Sequence, residues 1–302
     1  MLLLIEQVLN GLQLGFMLFL LSAGLTLVFG VMNLINLAHG SFYMVGAYVA
    51  ATVMQASGSF MLALLVALGS AAICGLLVEI IVLRHLYNRD HLDQVLATFG
   101  LILFFNEGTR MIWGRQPLFM QVPELLSTTV EILPGVPYPL YRLVIIGVGL
   151  LVAVGLFVLI RHTRLGMRIR AGASNREMIA VLGVNIRWLY SLVFALGTML
   201  AGFAGVMAAP LFAVESGMGE SILIPVFVVI VIGGIGSVKG ALLGALLVGL
   251  VDTLIRAFLP TLLVWLFATS SANSIAASLS SMAIYLLMAG ILAFKPRGLF
   301  PA

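Results

Sequence analysis

Nine apolar runs, near residues 8–30, 41–56, 59–83, 94–113, 140–160, 187–211, 222–236, 238–258 and 280–294, occupy most of the 302-residue chain. A helix crossing the hydrocarbon core of a bilayer takes about 20 apolar residues, so the runs have the length of membrane spans. A soluble fold is excluded, because only 9% of the residues are charged, against about 25% in soluble domains. The pattern predicts an all-α, polytopic integral membrane protein, a single transmembrane domain over 1–302 with eight to ten helices. Runs 41–56, 222–236 and 280–294 fall short of a full span and are expected to tilt, re-enter or join a neighbour. The start, MLLLIEQVLN, has no basic stretch and carries Glu6, so a cleaved signal peptide is not expected.

Lys and Arg set the direction of threading, because short cytoplasmic loops collect them. With nine spans, Arg84, Arg89, Arg161, Arg164, Arg168, Arg170, Arg176, Arg187, Lys239, Lys295 and Arg297 fall on one side. Arg110, Arg115, Arg142 and Arg256 fall on the other. This asymmetry predicts a cytoplasmic C-terminus and 161–187 loop, an external N-terminus, and an odd count, nine. The external segment 114–139 holds Pro117, Pro123, Pro134, Pro137 and Pro139 and is expected to form a cap without a long helix. The polar stretch 269–281 is expected to be an external loop. The net charge of +4 reflects inner-leaflet anchoring and does not point to nucleic acid.

Small residues recur at four-residue spacing: Gly197, Ala201, Gly205 and Ala209; Gly240 and Gly244, beside Ala241, Ala245 and Gly249; and Gly11 with Gly15. Such stripes let helix backbones approach closely, which replaces the hydrophobic drive that lipid removes. They fit packing within one chain, or against a second membrane subunit. Two breaks interrupt the runs. The first carries Asn33, Asn36, His39, Gly40 and Ser41, and the second Gly233, Gly234 and Gly236. Irregular backbone at membrane depth is tolerated only when buried in protein or lining a wet cavity, so these eight residues are the candidates for a translocation pathway. A helix restarting at Gly40-Ser41, with Ser41 as its cap, would present free N–H groups to a carboxylate. The other reading is a pair of turns at the membrane surface. His39-Gly40 and Lys239-Gly240 each open a run after a break, as an internal repeat would.

Charges inside the runs are few. Asp252 and Arg256 stand four apart, and Glu107 and Arg110 three apart, so each pair can meet on one helix face. Intramembrane charges are functional candidates by default, but Glu79, Glu107 and Asp252 each have a basic neighbour near a span end, which also suits a local pair. No Walker A, HExxH or G-x-S-x-G pattern occurs, so neither an enzyme nor a cofactor held by this chain is expected. Cys74, the lone cysteine, is expected to be a small buried core residue.

The 161–187 loop divides in two. Its basic first half suits the anionic inner leaflet. In its second half Asn175 can cap a helix, Glu177 sits in the first turn, Met178, Ile179, Val181 and Leu182 supply apolar surface, and Gly183 ends it. This is the pattern of a docking element for a soluble partner; a helix lying on lipid is the other reading.

Four segments, MNLINLAHGSFYMVGAYVA at 32–50, RLGMRIRAGASNREMIAVLGVN at 164–185, GGIGSVKGALLGALLVGL at 233–250 and KPRGLFPA at 295–302, together resemble the permeases of branched-chain amino acid ABC transporters, in their shorter Liv-type form. The resemblance covers essentially the whole chain. It implies an importer subunit in a bacterial inner membrane that pairs with a second permease subunit to enclose the pathway. It further implies two cytoplasmic ATPase subunits that bind the ATP and a periplasmic or extracellular solute-binding protein that delivers substrate. By motif match, 173–185 is the coupling helix, with Ala173, Asn175, Glu177, Ala180 and Gly183. Asn33, Asn36, His39, Gly40 and Ser41 lie near the pathway. Similar permeases serve branched-chain amino acids, other amino acids, urea or amides, and aromatic acids. A stand-alone secondary transporter or channel is the alternative, and the missing midplane charge relay speaks against it.

Overall fold

The computed structural model describes residues 2–87, 89–267 and 272–300; the side chains at 133, 176, 177, 266, 267 and 272–274 lie outside that description. The described chain is helical nearly throughout: α1 (Leu2–Met32), α2 (His39–Ser57), α3 (Phe60–Ile81), α4 (His91–Trp113), α5 (Leu140–His162), α6 (Arg164–Ser174), α7 (Arg176–Val181), α8 (Ile186–Ala208), α9 (Met218–Gly233), α10 (Val238–Phe267) and α11 (Ala272–Phe294). One antiparallel hairpin, β1 (Thr129–Leu133) and β2 (Val136–Pro139), pairs Val130 with Tyr138. Each apolar run holds one long helix, and the 161–187 loop holds α6 and α7.

Among the described residues, 7 helices are long and apolar enough to cross a membrane: α1, α3, α4, α5, α8, α10 and α11. The other two long helices fall outside that measure for different reasons. α9 has 16 residues, with Pro225 inside it. α2 has 19 residues but is less apolar, with His39, Ser41, Tyr43, Tyr48, Thr52 and Gln55 among them, and it is buried at nearly every position from His39 to Ala51. Its neighbours are protein, so polar and small residues are tolerated where a lipid-facing helix would need large apolar ones.

Local chemistry sets the helix ends. α1 stops at Asn33, whose φ of 51° is the left-handed cap that asparagine tolerates. α2 stops at Gly58, with φ 65° and its N–H on Met54 O. Ser59 opens α3 by accepting the Leu62 N–H at 3.4 Å, and Asn185 opens α8 by accepting the Trp188 N–H at 3.1 Å. The proline-rich segment forms a 3-10 turn and the hairpin, with no long helix, as expected. The polar stretch needs correction: from Ala272 onward it belongs to α11, because ANSIAASLSS contains neither proline nor glycine and its serines and alanines accept helical geometry. Residues 269–271 lie outside the described residues.

The chain forms two compact units. The first comprises residues 20–123 and 151–224, and its centre is the mutual packing of α2, α3 and α8. A Cβ on Gly46 would stand 2.5 Å from Gly202 Cα, one on Gly202 2.5 Å from Ala71 Cβ, and one on Gly197 3.0 Å from Gly24 O. α3 turns Ala63, Ala67, Ala71, Gly75 and Glu79 inward, while Met61, Leu65, Ile73 and Ile80 are exposed, as a lipid-facing side requires. Cys74 is corrected here: it lies half-exposed on α3, one position off the buried stripe.

The second unit comprises residues 1–19, 124–150 and 225–302. Cβ atoms on Gly11 and Gly15 would stand 2.9 Å from the Cα atoms of Leu250 and Leu246, and one on Gly249 2.5 Å from Gly11 O. All three small-residue stripes thus pack within this chain. The hairpin is tied down by Asn10, whose Oδ1 accepts from Arg142 Nη1 at 2.6 Å and from Tyr138 OH at 3.1 Å. Burial pushes the Tyr138 phenol above its ordinary pKa, and Arg142 beside it pulls the other way. Replacing Asn10 by alanine is expected to lower stability by about 1–2 kcal/mol, read as a lower melting temperature in detergent; an unchanged melt would remove this tie.

Candidate functional site at the helix breaks

The first break lies in the first unit. After Asn33 the chain turns on Asn36, whose Oδ1 accepts the Ala38 N–H at 3.1 Å and whose carbonyl accepts the His39 N–H at 3.4 Å. Helix α2 then starts at His39, with Ala38 as its cap and no side-chain capping bond. The expected cap, Ser41, sits inside the first turn and gives its N–H to Ala38 O at 3.0 Å. Gly40 crosses Gly219 of α9 backbone to backbone, and either Cβ would overlap the other's carbonyl.

The break and the helix before it hold buried polar atoms without partners. Asn36 and His39 have no exposed surface. His39 Nε2 lies 3.2 Å from Leu21 O, a contact in which Nε2 carries the proton, so Nδ1 is left as an acceptor. That Nδ1, Asn36 Nδ2 and Thr26 Oγ1 have no hydrogen-bond partner among the described residues. Buried polar groups are nearly always paired, and each orphan costs about 1–3 kcal/mol. Gln94 Oε1 and Tyr190 OH in the same unit are likewise without a partner among the described residues, and of these atoms those of Asn36 and His39 belong to the break.

The second break lies in the second unit and is built from backbone. Gly234 and Gly236 have φ of 104° and 84°, conformations that favour glycine. Gly233 crosses Gly240, again with each Cβ site overlapping the other's carbonyl. The C-terminal segment seals it: Leu299 N–H bonds to Ile232 O at 2.8 Å and Phe300 N–H to Gly233 O at 3.0 Å. Gly298, at φ 80°, passes so close that a Cβ would stand 2.7 Å from Gly234 Cα, which accounts for the glycine of the terminal motif. Residues 301–302 of that motif lie outside the described residues. Both His39-Gly40 and Lys239-Gly240 thus open helices whose first-turn glycine crosses another glycine of α9. The candidates of the two breaks fall in different units.

The 161–187 loop holds two helices where a basic strip and one coupling helix were expected. Thr163 opens α6 by accepting the Gly166 N–H at 3.0 Å. Gly166, Ile169 and Gly172 face inward, and Arg161, Arg164, Arg168 and Arg170 are exposed. Segment 173–185 is not a single helix: Ala173 belongs to α6, and Asn175, at φ −155° and ψ 98°, bends the chain into α7. Asn175 Oδ1 accepts the Met178 N–H at 2.9 Å, as its capping pattern predicts. Gly183, at φ 85°, ends the turn, with the Val184 N–H on Ile179 O at 3.3 Å. Ile179 is buried, and Met178, Ala180, Val181 and Leu182 are exposed. The side chain of Glu177 lies outside the described residues.

The charges in the runs are paired locally. Arg256 meets Asp252 at 2.8 Å and Arg110 meets Glu107 at 2.7 Å. Glu79 meets Arg84 at 3.1 Å and also binds Tyr87 and Ser191. Ser191, and Gly219 at the first break, carried no sequence signal, because their contacts join residues far apart in the chain. A groove on α10 is lined almost wholly by apolar side chains, Leu254, Phe258, Leu262 and Trp265 among them, with Thr261.

A family model described as branched-chain amino acid transport system, permease component, matches residues 7–292. The high-affinity branched-chain amino acid transport system permease protein BraD of Pseudomonas aeruginosa is 30% identical over 253 residues, 79% of this chain and 82% of that protein. The permease protein LivH of Salmonella typhimurium is 29% identical over 85% of this chain and 87% of its own. The ribose import permease protein RbsC of Escherichia coli is 26% identical over 71% and 65%. No solved structure matches the chain. Helices of spanning length, breaks built on crossing glycines and a match along nearly the whole chain agree: this protein belongs to the family of branched-chain amino acid transport system permease components.

Proposed function

We propose that the chain is the membrane-spanning subunit of an ATP-driven importer of branched-chain amino acids or closely related small solutes. It forms the pathway with a second permease, receives solute from an external binding protein, and is driven by two cytoplasmic ATPase subunits that bind the ATP. The observation that carries this reading is the family match over residues 7–292, with relatives named for branched-chain amino acid transport at 30% and 29% identity.

Two features support the division of labour. Met178, Val181 and Leu182 leave an apolar surface exposed on α7, suited to a groove on a soluble partner. The unpaired atoms of Thr26, Asn36 and His39 suit a pathway that is closed in this conformation and wetted in another. We further assign a single permease domain with nine spans in a bacterial inner membrane, the N-terminus outside and the C-terminus and α6–α7 cytoplasmic, on the distribution of Lys and Arg. The test is uptake of labelled leucine by vesicles holding the assembled transporter and its binding protein. Uptake should require hydrolysable ATP, and a second permease and two ATPase subunits should co-purify. Undiminished uptake with a non-hydrolysable analogue would rule the mechanism out.

A further inference from the structure

Glu79, in the last turn of α3, is a carboxylate with no exposed surface. Its oxygens accept four hydrogen bonds: from Arg84 Nε at 3.3 Å and Nη2 at 3.1 Å, from Tyr87 OH at 2.6 Å, and from Ser191 Oγ at 2.6 Å. Arg84 Nη2 also donates to Ser191 Oγ at 3.1 Å, and the Tyr87 ring stands edge-on to Tyr190 at 5.1 Å. The carboxylate thus ties together the end of α3, the turn after it and the first turns of α8.

The position of this tie matters. Ser191 lies five residues into α8, and α8 is joined to α7 only through the short turn at 182–185. Further along the same two helices, Gly75 meets Thr198 and Gly202 meets Ala71. Gly202 in turn meets Gly46 of α2, and Gly205 meets Tyr43 and Ala47 of α2, the helix that begins at the first break. A shift of α8 must therefore either part Glu79 from Ser191 or carry α3 with it. Parting Ser191 from Glu79 would take a donor from a buried carboxylate, which is unfavourable.

Resting on the importer reading above, we propose that Glu79 is a positioning residue for coupling. Its buried network clamps α3 to α8, so that a displacement of α7 reaches α2 and the first break instead of dissipating in the first turns of α8. The decisive quantity is solute moved per ATP hydrolysed by the assembled transporter in proteoliposomes. Glu79→Gln keeps the shape but loses the charge, and should lower that ratio by roughly tenfold, within the range over which coupling networks act, with ATP hydrolysis retained. Ser191→Ala should lower the ratio in the same direction, and Ser191→Thr, which keeps the hydroxyl, should restore it. Should Glu79→Gln fail to fold, the two Ser191 variants decide alone. Wild-type ratios in the variants overturn the clamp, as does an equal loss in Ser191→Ala and Ser191→Thr. A wild-type transporter whose uptake ignores ATP overturns the importer reading and the clamp with it.

Discussion

Gly40→Val is expected to leave little folded protein. The Cβ of any residue at 40 would overlap the Gly219 carbonyl and stand 3.2 Å from Gly219 Cα, and a Cβ at 219 would stand 2.6 Å from Gly40 C and 3.1 Å from Ser41 N. Overpacking typically costs about 1–3 kcal/mol when side chains can give way. Here the obstacle is backbone on both sides, so one helix must move as a body. α2 is buried almost all round over this stretch and has nowhere to go. The cost should exceed that range and remove a large part of the roughly 5–15 kcal/mol that holds a typical domain. Gly69→Val is the matched control, since nothing lies within 4 Å of its Cβ position. Yield, monodispersity and melting temperature in detergent are the readouts. A Gly40→Val protein that melts like wild type would show that α2 and α9 are not in contact at this crossing.

Charging the exposed face of α7 should do the opposite: leave the fold intact and disable the transporter. Val181 is 84% exposed and Leu182 75%, so Val181→Asp with Leu182→Asp removes almost no internal contact and should move the melting temperature little. If this face seats in a groove of an ATPase subunit, two charges enter an apolar contact. Central interface residues cost about 2 kcal/mol or more when removed, which is roughly thirtyfold in partner affinity. Uptake should fall by at least that order while the permease remains well folded, and the ATPase subunits should no longer co-purify. Ala180→Arg, on the same exposed turn, should act alike. Full uptake by the doubly charged variant would end the assignment of α7 as the docking element.

Much of the architecture is legible one segment at a time. An apolar run long enough to cross a bilayer can satisfy its backbone only as a helix, and all nine runs contain one. The ends were legible where a single residue sets the geometry: Asn175 caps α7, and Gly183 ends it at positive φ. Misreadings arose where local composition points two ways. Ser41 looks like a cap, yet the turn on Asn36 starts α2 earlier. The stretch at 269–281 looks like a loop, yet its serines and alanines fit a helix. Cys74 sits in an apolar run, yet one position away from the face that α3 buries.

Apolar length, the spacing of charge and the four segment motifs were sufficient to specify a helical membrane permease and its family. They could not specify which face of each helix meets protein and which meets lipid. In water the apolar face is the buried one, but in a bilayer both faces are apolar and the hydrophobic effect no longer tells them apart. Only the folded chain shows Ala63, Ala67, Ala71 and Gly75 to be a contact stripe. Only it brings Glu79 to Ser191 across 112 positions and crosses Gly40 on Gly219. Close approach of backbones and pairing of buried charge depend on distances between helices, which no periodicity within a single helix encodes.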